Sequence, residues 1–215
     1  MTPLTVSLMT FAAAAGVLTL TPGVDTAMVL RASTAEGPKG GAAASAGICL
    51  GLLVWGVGAA FGLTALLSAS RLAFTAVKWA GAAYLLYLGV KLLLKPRSAL
   101  VEAGGAPDAP GPPGRAWTGA FRRGLLSNLL NPKVGVFYIT FLPQFIPHGY
   151  SVAAISLLLA GIHVLLSLVW LSILVALTVP LGRFLRRPAV VKALDRLTGA
   201  VFVGFGVRLA LTEAA

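Results

Sequence analysis

Acidic side chains are scarce in this chain, and charge of either sign is thin. Six Asp plus Glu and 17 Lys plus Arg among 215 residues make 11% charged, against the roughly 25% of ordinary soluble domains. With 58% hydrophobic residues and a mean hydropathy of +0.91, the composition excludes a soluble globular domain and indicates a membrane protein. Met1–Val24, Gly40–Ser70 and Val134–Gly182 carry no Asp, Glu, Lys or Arg at all, and about 20 such residues cross the hydrocarbon core as a helix. The alternating segments of about ten residues that a transmembrane β-barrel needs are missing. The fold class expected is therefore an all-α integral membrane protein.

Cysteine is limited to Cys49, which rules out an internal disulfide and a cysteine metal cluster. No metal, no cofactor and no enzymatic activity are expected. Lys and Arg are missing ahead of the first apolar run, "MTPLTVSLMTFAAAAGVLTL", so the basic region of a cleaved secretory signal is absent and the first span is expected to stay in the mature protein. A net charge of +11 would point a soluble chain towards nucleic acid. In a membrane protein, basic loops that fix orientation account for it, and no nucleic-acid partner is expected.

Six hydrophobic segments can be marked: Leu4–Leu30, Ala42–Leu67, Leu72–Leu94, Phe121–Phe145, Val152–Val175 and Val190–Leu211. Each is long enough to span a bilayer with some tilt. "KPRSALVEAGGAPDAPGPPGRAW", from Lys95, is the one long polar segment, rich in Pro, Gly and Ala as a flexible linker is. The expected organisation is a single transmembrane domain: a first three-helix repeat over 1–94, a cytoplasmic linker over 95–118 and a second repeat over 119–215. Thirteen of the 17 cations fall in loops one, three and five, and Arg71, Lys78 and Arg208 lie on the other side, with Lys133 apart. The basic side is expected to be cytoplasmic, placing both termini outside a bacterial inner membrane.

The two halves share patterns. "KWAGAAYLLYLGVKLLL" from Lys78 matches "RLTGAVFVGFGVRLAL" from Arg196 in its cation, its early Gly, its aromatics and its closing Gly-Val-cation-Leu. "LTPG" from Leu20 matches "LNPK" from Leu130. A repeat with an odd number of crossings must be inverted in the membrane, a plan common in secondary transporters. Chance recurrence of small and aromatic residues is the competing explanation.

Thr21 and Asn131 precede the prolines and are good N-caps, and Pro22 and Pro132 sit where a first helical residue would fall. The first and fourth helices are thus expected to stop and restart, which an apolar medium tolerates only where neighbouring helices, water or a ligand satisfy the freed backbone groups. Two converging helix N-termini would suit a carboxylate. Asp25 and Lys133 flank the breaks, and intramembrane charges are candidate functional groups, with a structural ion pair or snorkelling as the bland alternative. Thr140 and Gln144 follow Lys133 at spacings of seven and eleven, nearly one face of a regular helix. The candidate substrate-binding set is Thr21, Pro22, Gly23, Asp25, Asn131, Pro132, Lys133 and Gln144. His163 reads as bonded to a neighbouring helix, Trp55, Trp79, Trp117 and Trp170 as packing or interface anchors, and the glycines from Gly47 as sites of close helix approach.

With "LTPGVD" from Leu20, "GAAASAGICLGLLVWGVGAAFGL" from Gly41, "AGAAYLLYLGVKLL" from Ala80 and "NLLNPKVGVFYITFLPQF" from Asn128, the chain resembles the LysE/RhtB family of bacterial amino-acid exporters over nearly its whole length. It departs at Val24, where the family usually has a second proline, which leaves the first break less rigid and substrate choice more open. The resemblance implies efflux of amino acids or close derivatives by alternating access, driven by the proton gradient or membrane potential, with a homodimer left open. A membrane thiol–disulfide carrier would need two exchanging thiols, and a metal exporter clustered soft or imidazole ligands. A structural membrane protein would need no ligand at the breaks.

Overall fold

The computed structural model describes residues 2–69, 71–98 and 113–211. Every element among them is helical. In chain order these are α1 (Pro3–Leu20), α2 (Val24–Ala69), α3 (Arg71–Leu94), α4 (Pro113–Leu129), α5 (Pro132–Val136), a π-helical turn (Phe137–Phe141), a 3-10 turn (Leu142–Phe145), α6 (Val152–Ala176), α7 (Thr178–Leu185) and α8 (Pro188–Leu211). Of the linker expected over 95–118, residues 99–112 lie outside the described residues, and α4 begins at Pro113.

Among the described residues, three helices are long and apolar enough to cross a membrane: Pro3–Leu20, Val24–Gly62 and Val152–Ala176. The pair Trp117–Leu129 and Pro132–Phe145, bent by 50°, adds a fourth if it is taken as one span. The chain is thus an all-helical, multi-pass membrane protein. Both interruptions fall at prolines. A proline disfavours helical backbone in the residue before it, and Thr21 (φ −70°, ψ 115°) and Asn131 (φ −77°, ψ 108°) are both extended. A third interruption was not expected: Gly37 takes φ 72° inside α2, a left-handed conformation that costs glycine nothing, and Pro38 follows it. Glu36, just before this kink, pairs with Arg123 of α4. The short α7 was also not expected; its Leu181 and Leu185 face the core.

In lipid, helices gain little from apolar burial and associate through close van der Waals packing at small residues. α2 lies against α4 and α6, and α3 against α8. A Cβ added at Gly47 would come within 2.1 Å of the Phe121 carbonyl oxygen, and one at Gly124 within 2.1 Å of that of Ala44. The α2 and α4 backbones therefore touch reciprocally, as the glycine pattern suggested. Gly89 of α3 and Gly199 of α8 meet in the same way, each Cβ position lying 2.8 Å from the other's carbonyl oxygen, while Gly206 faces Leu86 and Ala82. The reversed order of these contacts makes α3 and α8 antiparallel.

The core beneath the second break is aromatic. Phe11 of α1 contacts Phe137 and Phe145, and Phe141 stacks on Phe137 and meets Phe205 of α8. Such pairs add about 0.5–1.5 kcal/mol each beyond contact area. Ser7 of α1 donates to the Phe145 carbonyl, tying the end of the 3-10 turn to the first helix.

The glycine contacts give a direct test. Gly124→Val forces the α2–α4 backbones apart and is expected to destabilise the detergent-solubilised protein by about 1–3 kcal/mol or more, seen as a lowered thermal midpoint. Gly58→Ala, at a position with nothing within 4 Å of the added carbon, is expected to leave the midpoint unchanged.

Candidate functional site

The two proline breaks meet at one cavity. Thr21, Gly23 and Asp25 line it from the first break, and Asn131, Lys133 and Val134 from the second. The remaining wall comes from Leu18 and Thr19 of α1, Thr26, Ile48 and Leu52 of α2, and His163, Ser167, Trp170 and Leu171 of α6. The cavity has a volume of about 40 Å³, room for a few water molecules and well under the roughly 300–1,000 Å³ of sites that enclose a small molecule, so a ligand enters only as the surrounding helices part. Of the eight candidate residues, five line this cavity. Pro22 and Pro132 shape the breaks without lining it, and Gln144 lies elsewhere.

The second break is the simpler of the two. Asn131 caps α5 as expected: its side-chain oxygen accepts from the Lys133 backbone N–H (3.1 Å), and its carbonyl accepts from Val134 and Gly135 (3.1 and 3.0 Å). With Pro132 lacking an N–H, the first turn of α5 is already satisfied, so the expected carboxylate site on its N–H groups is closed.

The first break corrects the cap expected at Thr21. α2 begins at Val24, not at Pro22, so Thr21 does not cap it; Thr21 instead ends α1. Its hydroxyl bonds back to the Val17 carbonyl (2.7 Å), the usual choice of a threonine in a last helical turn, and shares a hydrogen with Thr198 of α8. Gly23 intervenes before the helix resumes, which separates the cap position from Pro22.

Lys133 therefore takes a role different from the one its place at the head of α5 suggested. Its ammonium turns away from its own helix and donates to the carbonyls of Leu18 and Thr21, each at 3.0 Å. These belong to the C-terminal end of α1, where unpaired carbonyls carry partial negative charge and attract cations. Asp25, in the first turn of α2, accepts from the Asn128 amide at 2.8 Å and from the Ser127 hydroxyl at 3.4 Å. Asp25 and Lys133 face the same cavity, yet each is held by other partners rather than by a direct ion pair.

A second cation serves the first break. Arg97, just beyond α3, donates to the Pro22 carbonyl (2.9 Å) and grips Asp195 of α8 with its guanidinium and its backbone N–H. Asp195 is fully buried. This clasp was not legible beforehand: Arg97 reads as one more loop cation, and nothing in the spacing of 98 residues links it to Asp195. Asn128 was missed as well, although it begins the quoted "NLLNPK" stretch. One turn ahead of a break is the position from which a side chain can reach across to the other half, and that is the signal that could have found it.

The polar stripe fails for a geometric reason. The π-helical turn at Phe137–Phe141 and the 3-10 turn after it change the phase of the helix, so positions seven and eleven beyond Lys133 no longer share its face. Thr140 bonds its own Val136 carbonyl and packs on Gly81 of α3. Gln144 donates to the Thr140 carbonyl at 3.2 Å. His163 meets a neighbouring segment as read, its Nδ1 3.2 Å from the Tyr138 hydroxyl, but it also lines the cavity. The tryptophans divide: Trp79 and Trp117 are half exposed, whereas Trp55 donates weakly to the Asn128 carbonyl (3.4 Å) and Trp170 lines the cavity. Two cavity-lining residues, Thr19 and Trp170, carry a buried polar atom with no partner, Oγ1 and Nε1.

A polar cavity framed by two discontinuous helices in an otherwise apolar bundle is the arrangement that secondary transporters use for small charged solutes. The family follows from comparison with known proteins. The model of LysE type translocators matches residues 17–213, and the chain belongs to that family. It is 34% identical over 208 residues to the uncharacterized membrane protein YrhP of Bacillus subtilis, covering 96% of this chain and 99% of that one. It is 31% identical over 208 residues to a leucine efflux protein of Klebsiella pneumoniae, covering 96% and 95%. An uncharacterized membrane protein of Pseudomonas aeruginosa is 37% identical over 199 residues, covering 89% and 88%. No solved structure matches.

The Arg97–Asp195 clasp yields a stability prediction. Asp195→Ala loosens Arg97 and with it Pro22, and is expected to cost about 1.5–3 kcal/mol, the worth of hydrogen bonds to a charged group, because the Arg97 side chain is 31% exposed and water can meet it. Arg97→Ala, which leaves the fully buried Asp195 without its cation and Pro22 without its donor, is expected to lower the unfolding temperature further than Asp195→Ala does.

Proposed function

We propose that this protein exports amino acids, leucine or a similar apolar one among them, from the cytoplasm by alternating access. The observation that carries the reading is the cavity itself: it places a carboxylate, an ammonium and partnerless polar atoms beside an apolar wall of Leu18, Ile48, Leu52, Val134 and Leu171. A zwitterion with an apolar side chain offers complementary groups to each part. Its ammonium faces Asp25, its carboxylate meets Trp170 Nε1 and Thr19 Oγ1, buried atoms that otherwise lack the partner such groups need, and its side chain lies on the apolar wall. Relatives named as leucine efflux proteins agree with this choice of substrate.

Six spans in two inverted three-helix repeats are the architecture we assign. In support, each half contains a proline break, and the matched segments lie on α3 and α8, which run antiparallel. The late Gly89 of one copy meets the early Gly199 of the other, and the late Gly206 meets Ala82, beside the early Gly81. Two copies related by a two-fold axis exchange contacts in this way. The distribution of cations supports a plan with both termini outside the inner membrane, and a homodimer is compatible with it. A thiol carrier needs a second cysteine beside Cys49, and among the described residues no three His, Cys, Asp or Glu side chains come together as a metal exporter's ligands would.

Overexpression is expected to lower intracellular leucine or a related apolar amino acid, read by profiling the cytoplasmic pool. Asp25→Asn and Lys133→Met are each expected to abolish net efflux while leaving the amount of protein in the membrane unchanged. Undiminished efflux in both variants would overturn the assignment of this cavity.

A further inference from the structure

The end of α1 is built to hold an ammonium, and Lys133 already sits in it. The Leu18 and Thr21 carbonyls converge on one nitrogen at 3.0 Å each. A Cβ at Gly23 would stand 3.6 Å from that nitrogen, so the backbone of the break passes directly beside it. Asp25 shares the cavity without closing an ion pair to Lys133, its carboxylate being held by Asn128 and Ser127. The cradle is fixed from outside as well, by Arg97 on Pro22 and by Thr198 on Thr21. Carbonyls at the end of a broken helix are suited to cations, and an amino acid's α-ammonium is the same –NH₃⁺ head group that Lys133 carries on its flexible stem.

We infer that Lys133 is a tethered surrogate for the substrate's ammonium: the Leu18 and Thr21 carbonyls form the ligand's ammonium site, which Lys133 fills in the empty carrier and yields when substrate enters. The inference rests on the exporter reading of the same cavity and revises one part of it: the ligand's ammonium, there set facing Asp25, is held by the two carbonyls, for which Lys133 is a competitor within the chain. An unoccupied pair of carbonyls in an apolar surrounding costs free energy, so the empty protein needs a cation there, and Lys133 supplies it with no ion taken from solution. When the ligand arrives, the displaced Lys133 ammonium swings towards Asp25 or towards the ligand's carboxylate. A lysine whose first duty is to hold the substrate's carboxylate would act in the opposite sense, because its removal would weaken ligand binding.

The difference is measurable on purified full-length protein in detergent by thermal shift and isothermal titration, without any transport step. The probes are 3-methylbutylammonium, which has the ammonium and an apolar tail but no carboxylate, and 4-methylpentanoate, which has the carboxylate and no ammonium; tetramethylammonium, which donates no hydrogen bond, controls for ionic effects. In Lys133→Met, 3-methylbutylammonium is expected to bind at least tenfold more tightly than to the native protein and to raise the thermal midpoint. Tetramethylammonium is expected to do neither, and 4-methylpentanoate to show no gain. Equal amine affinity in the two proteins overturns the inference, as does a loss of carboxylate binding in Lys133→Met with no change for the amine. Should Lys133→Met not fold, Lys133→Gln keeps a neutral donor near the same carbonyls, and the same tightening is expected in smaller measure. If Lys133→Gln binds the amine no more tightly than the native protein does, the inference fails. Failure of the exporter reading is a separate result: native protein in vesicles that moves no amino acid, whatever the amine titration shows.

Discussion

A helix interrupted in an apolar medium must find partners for the backbone groups it releases, and that requirement organises this protein. Lipid cannot serve, and water can do so only where a cavity admits it. At the second break the problem is solved locally, since Asn131 caps α5 and Pro132 has no N–H to leave over. At the first break no local solution exists: Thr21 spends its hydroxyl on Val17 and Thr198. The carbonyls of Leu18, Thr21 and Pro22 are then met by Lys133 and Arg97, both from elsewhere in the chain. The buried Asp195 holds Arg97 within reach of the Pro22 carbonyl. A cavity with charge and hydrogen-bonding capacity is the by-product of meeting this demand.

Glycine makes the arrangement reachable. Side chains from one half can touch the break in the other only if the helices carrying them lie almost backbone to backbone, as α2 and α4 do at Gly47 and Gly124, and α3 and α8 do at Gly89 and Gly199. Asn128 reaches Asp25 across the first of these contacts. Asp195 and Thr198 reach Arg97 and Thr21 from α8, whose approach the second contact sets.

Much of this was legible in the residues. Hydropathy runs gave an all-helical membrane chain, prolines gave two breaks, and the rarity of intramembrane charge drew notice to Asp25 and Lys133, which do face one cavity. What sequence reading could not supply was direction. Lys133 stands at the head of a helix, and nothing in "LNPK" says that its four-carbon stem carries the ammonium back to another helix's end. Extrapolating a regular helix from Lys133 to Gln144 failed because the π-helical turn at Phe137–Phe141 is invisible to a periodicity argument. Partners separated by about a hundred residues, such as Arg97 and Asp195, have no local pattern to betray them.

The exchange of partners between halves also bears on how the protein is made. The Leu18 and Thr21 carbonyls precede their partner Lys133 by 115 and 112 residues, and Thr21 precedes Thr198 by 177. A chain threaded into the membrane from its N-terminus therefore carries an incomplete first break through most of its synthesis. That break closes only after α5 and then α8 have been inserted, so its cavity is the last part of the molecule to mature, and a chain truncated before α8 keeps Arg97 but lacks Asp195, which holds it, and Thr198.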